Sequence, residues 1–189
     1  MTALRKERMT TSEFLAWAVQ QPDRWELFDG IPTAMSPERV IHAQTKYRVA
    51  RALDEAIARA RVRCEFLLDG PVVRIDSRNS YQPDVVVNCG DPVPGDSLEV
   101  PNPVIVVEVL SPSNALRDMR DKLQGYFRVP SIHNYLIVDP EKRLVIHHSR
   151  GQDDLVSTRV ANTGDIALDP PGVTMPVEDF FELPPPQQT

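Results

Sequence analysis

The chain has 189 residues, of which 41% are hydrophobic and 25% are charged, and its net charge is −6. This length and composition are typical of a globular protein with a real apolar core, which excludes a disordered or fibrous chain. The negative charge argues against a protein that coats nucleic acid through bulk electrostatics, and no apolar run has the length of a membrane span.

The first third of the sequence predicts two helices and a hairpin. Thr10 and Glu13 form a capping-box pattern that begins a helix through SEFLAWAVQQ. WELFDGIPTAMSP has turn residues between two short extended runs, which predicts a β-hairpin. Residues 39–60 predict the longest amphipathic helix, whose basic residues, Lys46 among them, are interpreted mainly as a solvated flank. The apolar positions of this helix are Ala43, Tyr47, Ala50, Leu53, Ile57 and Ala60.

The middle of the chain is rich in β-branched residues. CEFLL, PVVRI, DVVVN and VIVVEVL predict four strands of one sheet, a helix of about residues 115–127 follows, and NYLIVDP and RLVIHHS predict two further strands. The expected fold class is α/β (α+β): a mixed central β-sheet flanked by helices, with an N-terminal helix and hairpin. A single domain is predicted over residues 1–183, with a disordered tail over 184–189.

The two cysteines and the N-terminal stretch indicate the cellular compartment of the protein. Cys64 and Cys89 show no CxxC pattern, so they are interpreted as two small buried thiols. The N-terminal stretch MTALRKERMTTSEF lacks the apolar core of a signal peptide, and the expected location is therefore the cytoplasm, with no membrane partner.

A carboxylate inside an apolar strand is the most informative feature of the sequence. Glu108 lies in VIVVEVL, and burying an unpaired charge costs several kcal/mol or more. Asp84 begins the strand before it, and if the two strands are antiparallel, the start of the first faces the end of the second. Two carboxylates about 4 Å apart repel by roughly 4 kcal/mol. A shared proton or a shared cation such as Mg²⁺ removes this penalty.

A lysine follows on the next predicted helix. Asp118, Lys122 and Tyr126 have the i, i+4, i+8 spacing of one helix face. Two metal-binding acids and a lysine can cleave a phosphodiester, because a metal polarises the phosphate and activates water while an ammonium stabilises negative charge. The alternative is a simple Lys122–Asp118 helix pair, worth a few tenths of a kcal/mol, with Tyr126 in a packing role.

At these residues the sequence resembles a known family. QPDVVV, VVEVLSPSN, the spaced residues of the helix and NYLIVDP resemble the Uma-type restriction endonucleases, a bacterial group of the PD-(D/E)xK nuclease superfamily. WELFDGIPTAMSP with His42 resembles the N-terminal part of the same pattern, and VTMPVEDFF resembles its C-terminal part. The resemblance spans residues 25–181.

The resemblance implies a restriction-endonuclease-like core in which Asp84 and Glu108 bind Mg²⁺ or Mn²⁺. The superfamily places its lysine two residues after the second acid, and here that position is Leu110. Lys122 matches a lysine on the following helix that replaces it in Uma-type proteins, so Asp84, Glu108 and Lys122 are the expected catalytic residues.

Three further residues are secondary candidates. Glu26 matches an acidic position of the family and would reach the metal through water, although a hairpin glutamate is usually only solvated. Asp118 would orient the lysine. His42, at the start of the long helix, is either part of the site or a capping or surface residue.

The expected function is metal-dependent hydrolysis of DNA phosphodiesters by a homodimer, since two related sites cut both strands most simply. The alternative is an inactive nuclease-fold protein that keeps a divalent-metal pocket as a binding or regulatory module. The net charge and Leu110 favour this alternative. RNA or branched DNA as the substrate is a third possibility.

Overall fold

The computed structural model describes residues 8–111 and 116–182, and it describes their side chains except at 116–118 and 154. The predicted tail over 184–189 lies outside these ranges. The α-helices are α1 (Thr11–Ala18), α2 (Val40–Ala60) and α3 (Leu116–Tyr126). The strands are β1 (Trp25–Phe28), β2 (Ile31–Ala34), β3 (Cys64–Leu68), β4 (Val73–Arg74), β5 (Ser80–Tyr81), β6 (Val85–Cys89), β7 (Pro103–Val109), β8 (Asn134–Asp139), β9 (Leu144–Arg150), β10 (Val156–Ala161), β11 (Asp165–Leu168) and β12 (Val173–Pro176).

A mixed six-stranded sheet forms the centre of the fold, in the order β10-β9-β8-β7-β6-β3. Strands β7 and β8 are parallel and the other neighbours are antiparallel. All seven residues of β7 are buried, Glu108 among them, as a mostly apolar, β-branched run predicts for a central strand. The predicted fold class is confirmed, including the N-terminal helix and the β1–β2 hairpin.

The hydrophobic core lies on both faces of this sheet. Alternate residues of each strand point to opposite faces, so Val107 packs with α2 and Val106 packs with α3. The core on the α2 side includes Val49, Leu53 and Phe180, whereas Tyr126 belongs to the core on the α3 side.

Local sequence signals fix the beginning of α1. The Thr10 hydroxyl accepts a hydrogen bond from the Glu13 amide at 3.3 Å, and the Glu13 carboxylate accepts one from the Thr10 amide at 2.8 Å. The predicted capping box is therefore confirmed, and it satisfies amides that the first helical turn leaves unpaired.

The prediction that PVVRI joins the central sheet is wrong. Its residues Val73–Arg74 form β4, which pairs with β5 in a separate four-stranded sheet of order β2-β1-β5-β4. A turn explains the pairing, because the Asp76 carboxylate accepts hydrogen bonds from the Arg78 amide and the Asn79 side chain. This turn folds β5 back onto β4 before the chain returns to the central sheet as β6.

The interpretation of the cysteines as free thiols is also wrong. Cys64 and Cys89 form a disulfide, and they are direct partners in the antiparallel β3–β6 ladder with a Cα–Cα distance of 4.0 Å. Their separation of 25 residues hides this proximity because the intervening chain leaves the sheet. Disulfides are rare in the reducing cytosol, so this bond counts against the cytoplasmic location, which stays a prediction.

The inward face of α2 differs from the predicted one in its first half. Ala43 and Tyr47 are exposed, whereas His42, Lys46 and Val49 are buried. The second half follows the apolar pattern at Leu53 and Ile57, which lie in the core, whereas the predicted Ala60 is exposed at the end of the helix. The first half of α2 thus faces a polar site rather than the apolar core. No helix within residues 8–111 and 116–182 is long and apolar enough to cross a membrane.

Candidate metal centre

Asp84 and Glu108 lie side by side at one end of the β6–β7 ladder. Val85 pairs with Val107 in the antiparallel register, so the residue before Val85 stands next to the residue after Val107. The Asp84 Oδ2 atom accepts a hydrogen bond of 2.7 Å from the Val109 amide, which holds this carboxylate across the end of β7. Both acids are buried.

Glu108 is held by two side chains of α3. The Lys122 Nζ lies 3.0 Å from Glu108 Oε1, and the Tyr126 hydroxyl donates a hydrogen bond of 2.5 Å to the same oxygen. Burial raises the pKa of Glu108 to about 8; Lys122 opposes this rise, and the charges of Asp84 and Glu26 add to it. Burial and the neighbouring Glu108 also raise the pKa of Tyr126 well above its usual value, so this hydroxyl stays a neutral donor.

Glu26 reaches the same lysine from the hairpin strand β1. Its Oε1 lies 2.9 Å from Lys122 Nζ and accepts a hydrogen bond of 2.9 Å from the Gln82 amide. Glu26 is buried, so it is not the solvated hairpin glutamate of the alternative interpretation. The side chain of Asp118 lies outside the described part of the structure, and its predicted role stays a prediction.

His42 reaches Asp84 from the beginning of α2. Its Nε2 lies 2.8 Å from the carbonyl oxygen of Val109 and 3.3 Å from Asp84 Oδ2, while its Nδ1 lies 3.4 Å from Glu38 Oε2. Burial alone would lower the pKa of His42, but hydrogen bonding and charge from Asp84, together with the charge of Glu38, leave that pKa raised.

Lys46 is one of the members of the site that the sequence did not indicate; Glu38, Asp69 and Arg24 are the others. Its Nζ contacts Glu38 Oε1, lies 2.8 Å from Asp69 Oδ2, and is 3.9 Å from Asp84 Oδ1. Burial would lower the pKa of Lys46, yet hydrogen bonds to Asp69 and Glu38 and the Asp84 charge raise it. The available signal was the spacing of Glu38, His42 and Lys46, which is i, i+4, i+8; His42 and Lys46 lie on one face of α2, and Glu38 lies two residues before the helix begins.

The site contains more negative than positive groups. Among the side chains that the structure describes, five carboxylates face three permanent cations, which leaves an excess of two negative charges when the acids are ionised and His42 is neutral. The carboxylates are Glu26, Glu38, Asp69, Asp84 and Glu108, and the cations are Arg24, Lys46 and Lys122. A divalent cation suits this imbalance, because oxygen ligands bind Mg²⁺ and mixed nitrogen and oxygen ligands bind transition metals.

Among the described side chains, one trio of potential ligands is compact. Glu38, His42 and Asp84 each place a ligand atom so that all three atoms lie within 4.8 Å of one another. Glu108 is not part of this trio, because its carboxylate points toward Lys122 and Tyr126. Asp84 therefore stands between two groups, the trio on the α2 side and Glu108 with Lys122 on the α3 side.

The chain is similar in sequence to two curated proteins and in fold to one solved structure. The Synechocystis sp. proteins slr1290 and sll1609, both without an assigned function, are each 26% identical to the chain; the first match covers 92% of both proteins, and the second covers 77% of this chain and 82% of the relative. A crystal structure of a putative nuclease belonging to DUF820 from Anabaena variabilis matches with a TM-score of 0.71 at 16% identity, covering 92% of this chain and 97% of that one, so the two share a fold. The model of the Uma2 family, described as putative restriction endonucleases, matches residues 11–179. The chain therefore belongs to the Uma2 family.

Proposed function

We propose that this protein is a metal-dependent endonuclease that hydrolyses DNA phosphodiester bonds, with Asp84 and Glu108 as ligands of Mg²⁺ or Mn²⁺ and Lys122 as a catalytic residue. The observation that carries the proposal is the meeting of two buried acids where β6 begins and β7 ends, with the Lys122 ammonium 3.0 Å from one of them. The family and the fold shared with a nuclease support it.

The residues fit a divalent ion. Asp84 and Glu108 are hard oxygen donors, and the surrounding groups leave an excess of negative charge that a cation balances. When bound, the ion supplies Lewis acidity toward the phosphate and lowers the pKa of a coordinated water.

The chain's own groups have separate tasks. The Val109 amide orients Asp84, and the Tyr126 hydroxyl orients Glu108. The Lys122 ammonium stabilises negative charge that develops on the attacking oxygen or on the phosphate, because a fixed positive charge in a buried site is worth more than in water. Leu110 occupies the strand position where the superfamily has its lysine. Lys122 comes from helix α3 instead, and its Nζ still contacts Glu108.

A homodimer would place two such sites on the two strands of a duplex. Because the net charge of the chain is −6, DNA binding would depend on local basic groups rather than on the overall charge. We therefore expect few phosphate contacts, and a DNA-binding constant that falls only shallowly as the salt concentration rises.

A plasmid cleavage assay with Mg²⁺ or Mn²⁺ tests the proposal. Asp84→Asn and Lys122→Met should each lower the cleavage rate by about 100-fold or more, as expected for loss of a group that stabilises the transition state. The matched controls Asp91→Asn and Lys142→Met alter exposed residues of the same types and should cleave like wild type. Equal cleavage by Asp84→Asn and wild type would refute the assignment.

The alternative, an inactive binding module, predicts different experimental results from the endonuclease. Leu110 at the superfamily's lysine position and the acidic net charge favour it. Under this alternative, Mn²⁺ would raise the melting temperature of wild type but not of Asp84→Asn, and neither protein would cleave duplex DNA, single-stranded RNA or a branched DNA. Cleavage of only the RNA or the branched DNA would instead keep the nuclease mechanism and change its substrate.

A further inference from the structure

We infer that the cleft between the β1–β2 hairpin and α3 binds a nucleobase of the substrate strand, close to the phosphodiester that is cut. The inference rests on the proposed function and adds a base-binding subsite to it. The cleft has a volume of about 450 Å³, which is within the range of roughly 300–1,000 Å³ for sites that bind small ligands. Its walls include Phe28, Thr33, Tyr81, Gln124, Gly125 and Arg128.

The cleft adjoins the candidate metal centre along two elements. Glu26 and Phe28 lie two residues apart on β1, so their side chains are on the same face of the strand and about 7 Å apart. On α3, Lys122 belongs to the metal centre, and Gly125 lines the cleft three residues later. A base in the cleft would therefore lie about two nucleotide steps of stacked DNA from the phosphate at the metal centre, since each step is about 3.4 Å.

The Tyr81 hydroxyl is a polar group in the cleft that the protein leaves for a ligand. Tyr81 is only 4% exposed, yet its hydroxyl has no hydrogen-bond partner among the described residues, which is uncommon for a buried polar group. Gly125 leaves this hydroxyl uncovered on the α3 side, because a Cβ at that position would lie 2.9 Å from the hydroxyl oxygen. Burial and the charge of Glu26 raise the pKa of Tyr81 to about 12, so the hydroxyl keeps its proton. It can therefore donate a hydrogen bond to a carbonyl oxygen or ring nitrogen of a base.

The other walls of the cleft match the chemistry of a nucleobase. The Phe28 ring is stacked on the Tyr81 ring with centroids 4.8 Å apart, and Phe28 is only half-buried, so it offers an aromatic surface to the cleft. A nucleobase is planar and stacks on such rings, and its edges carry both hydrogen-bond donors and acceptors. The exposed Gln124 amide also carries both, and it has no hydrogen-bond partner among the described residues.

The charges around the cleft are compatible with a nucleic acid strand. Asp29 and Asp121 also line it, but each forms an ion pair with an arginine, at 2.6 Å and 3.6 Å respectively, so neither carboxylate is left uncompensated. Arg128 lies 3.5 Å from Asp76, and its side chain is 62% exposed. The Arg128 guanidinium is therefore accessible to a backbone phosphate while the base occupies the cleft.

Binding of short single-stranded DNA tests the cleft without requiring cleavage. The bases of a single strand are not held in a duplex, so little free energy is needed to unstack one. We would compare a labelled octanucleotide of mixed sequence with an octamer of abasic sites by fluorescence anisotropy, with Ca²⁺ in place of Mg²⁺ and a gel to confirm that the DNA stays intact. Wild type should bind the octanucleotide about 10-fold more tightly than the abasic octamer, because a base gains this much from stacking on an aromatic side chain.

Two variants that keep the size of the side chain place this difference in the cleft. Tyr81→Phe and Gln124→Leu each remove one hydrogen-bonding group and should raise the Kd for the octanucleotide by about 3- to 10-fold, with no change in the Kd for the abasic octamer. The melting temperature of Tyr81→Phe should not fall, because the hydroxyl has no partner among the described residues. Tyr47→Phe and Gln152→Leu make the same substitutions at exposed positions outside the cleft and should bind like wild type.

The outcomes separate this inference from the proposed function. Equal Kd values of wild type for the two octamers would overturn the base-binding cleft, and so would an unchanged Kd for the octanucleotide in folded Tyr81→Phe and Gln124→Leu. If Tyr81→Phe does not fold, Gln124→Leu decides the matter, because Gln124 is exposed. Plasmid cleavage by wild type alongside a refuted cleft would leave the endonuclease intact. Base-dependent binding that the variants weaken, without cleavage of any substrate, would support the cleft and refute the endonuclease.

Discussion

The Nζ of Lys122 lies 2.9 Å from the Oε1 of Glu26, so helix α3 is joined to the N-terminal hairpin inside the candidate site. The same ammonium lies 3.0 Å from Glu108. One buried lysine therefore links the second sheet, which carries Glu26, to the central sheet, which carries Glu108. The lysine is held from two directions, and its position does not depend on one strand alone.

Removing the charge of Glu26 should weaken this link. Glu26→Gln keeps a carbonyl oxygen for the Gln82 amide but leaves Lys122 with a neutral neighbour, and we expect the free energy of unfolding to fall by about 1–3 kcal/mol. Urea denaturation measures this change. Glu141→Gln, which breaks an exposed pair with Arg39, should cost less than about 1 kcal/mol. Equal losses in the two variants would mean that the buried position of the pair adds nothing.

Removing the Tyr126 hydroxyl should lower the free energy of unfolding. In Tyr126→Phe the ring stays packed against Tyr81 and Tyr135, but Glu108 loses its 2.5 Å hydrogen bond. Because a buried oxygen left without its hydrogen-bond partner costs about 1–3 kcal/mol, the unfolding free energy should decrease by about that amount. Tyr47→Phe removes an exposed hydroxyl and serves as the control, with no change expected in the same denaturation experiment.

A methyl group at Gly125 should be destabilising despite its position in a helix. An exchange of glycine for alanine normally stabilises a helix by about 1 kcal/mol. Here the added Cβ would overlap the ring of Tyr81, which is stacked on Phe28 with ring centroids 4.8 Å apart. We expect Gly125→Ala to cost about 1–3 kcal/mol through overpacking. Thermal unfolding would show it, with Gly95→Ala as the control, since a Cβ there meets no described atom within 4 Å; a higher melting temperature for Gly125→Ala would contradict this prediction.

Reduction should destabilise the β3–β6 ladder. The Cys64–Cys89 bond closes a loop with a sequence separation of 25 residues, and loops of this length contribute about 3 kcal/mol by restricting the unfolded chain. Dithiothreitol should lower the unfolding free energy of wild type by about this amount, while the Cys64→Ala/Cys89→Ala double variant should not respond to it. Two titratable thiols in the unreduced, denatured protein would show that the bond does not form.

Acid should destabilise the protein through His147. Burial, the neighbouring His148 and Arg159 lower the pKa of His147 to about 4, and its Nε2 pairs with Asn134 Oδ1 at 2.9 Å. The unfolded chain binds this proton near pH 6.5, so the stabilisation is fully present above that pH and is lost as the pH falls toward 4. The loss should reach about 3 kcal/mol, since each pKa unit corresponds to about 1.4 kcal/mol.

The comparison of His147→Gln with wild type tests this assignment. Denaturant unfolding from about pH 7 to 4 should give a shallower decline for His147→Gln, while His133→Gln should decline like wild type. His148, whose pKa burial also lowers, remains in both variants and accounts for part of the residual slope. Parallel curves for His147→Gln and wild type would remove His147 as the cause.

Local patterns in the sequence predicted much of the fold. The capping box at Thr10, the hairpin turn at Asp29–Gly30 and the apolar run around Glu108 are each confirmed, because a few neighbouring residues set their conformation. The antiparallel meeting of Asp84 and Glu108 followed from strand parity and a loop between the two strands. The sequence pattern gave a wrong prediction at β4, because the composition of a two-residue strand does not indicate which sheet the strand joins.

By itself the sequence determined the three α-helices, the hairpin, five of the six strands of the central sheet and the pair of acids, since hydrophobic period and turn chemistry act within a few residues. Lys122 was predicted beside those acids, but only the tertiary structure decided that Lys46 and Arg24 join the same cluster and that the two cysteines form a disulfide. Lys46 and His42 turn inward because α2 packs across the end of β6 and β7, where the acids need charged partners. Contacts between segments that are distant in sequence depend on how the helices pack on the sheets, and local sequence patterns do not determine this packing.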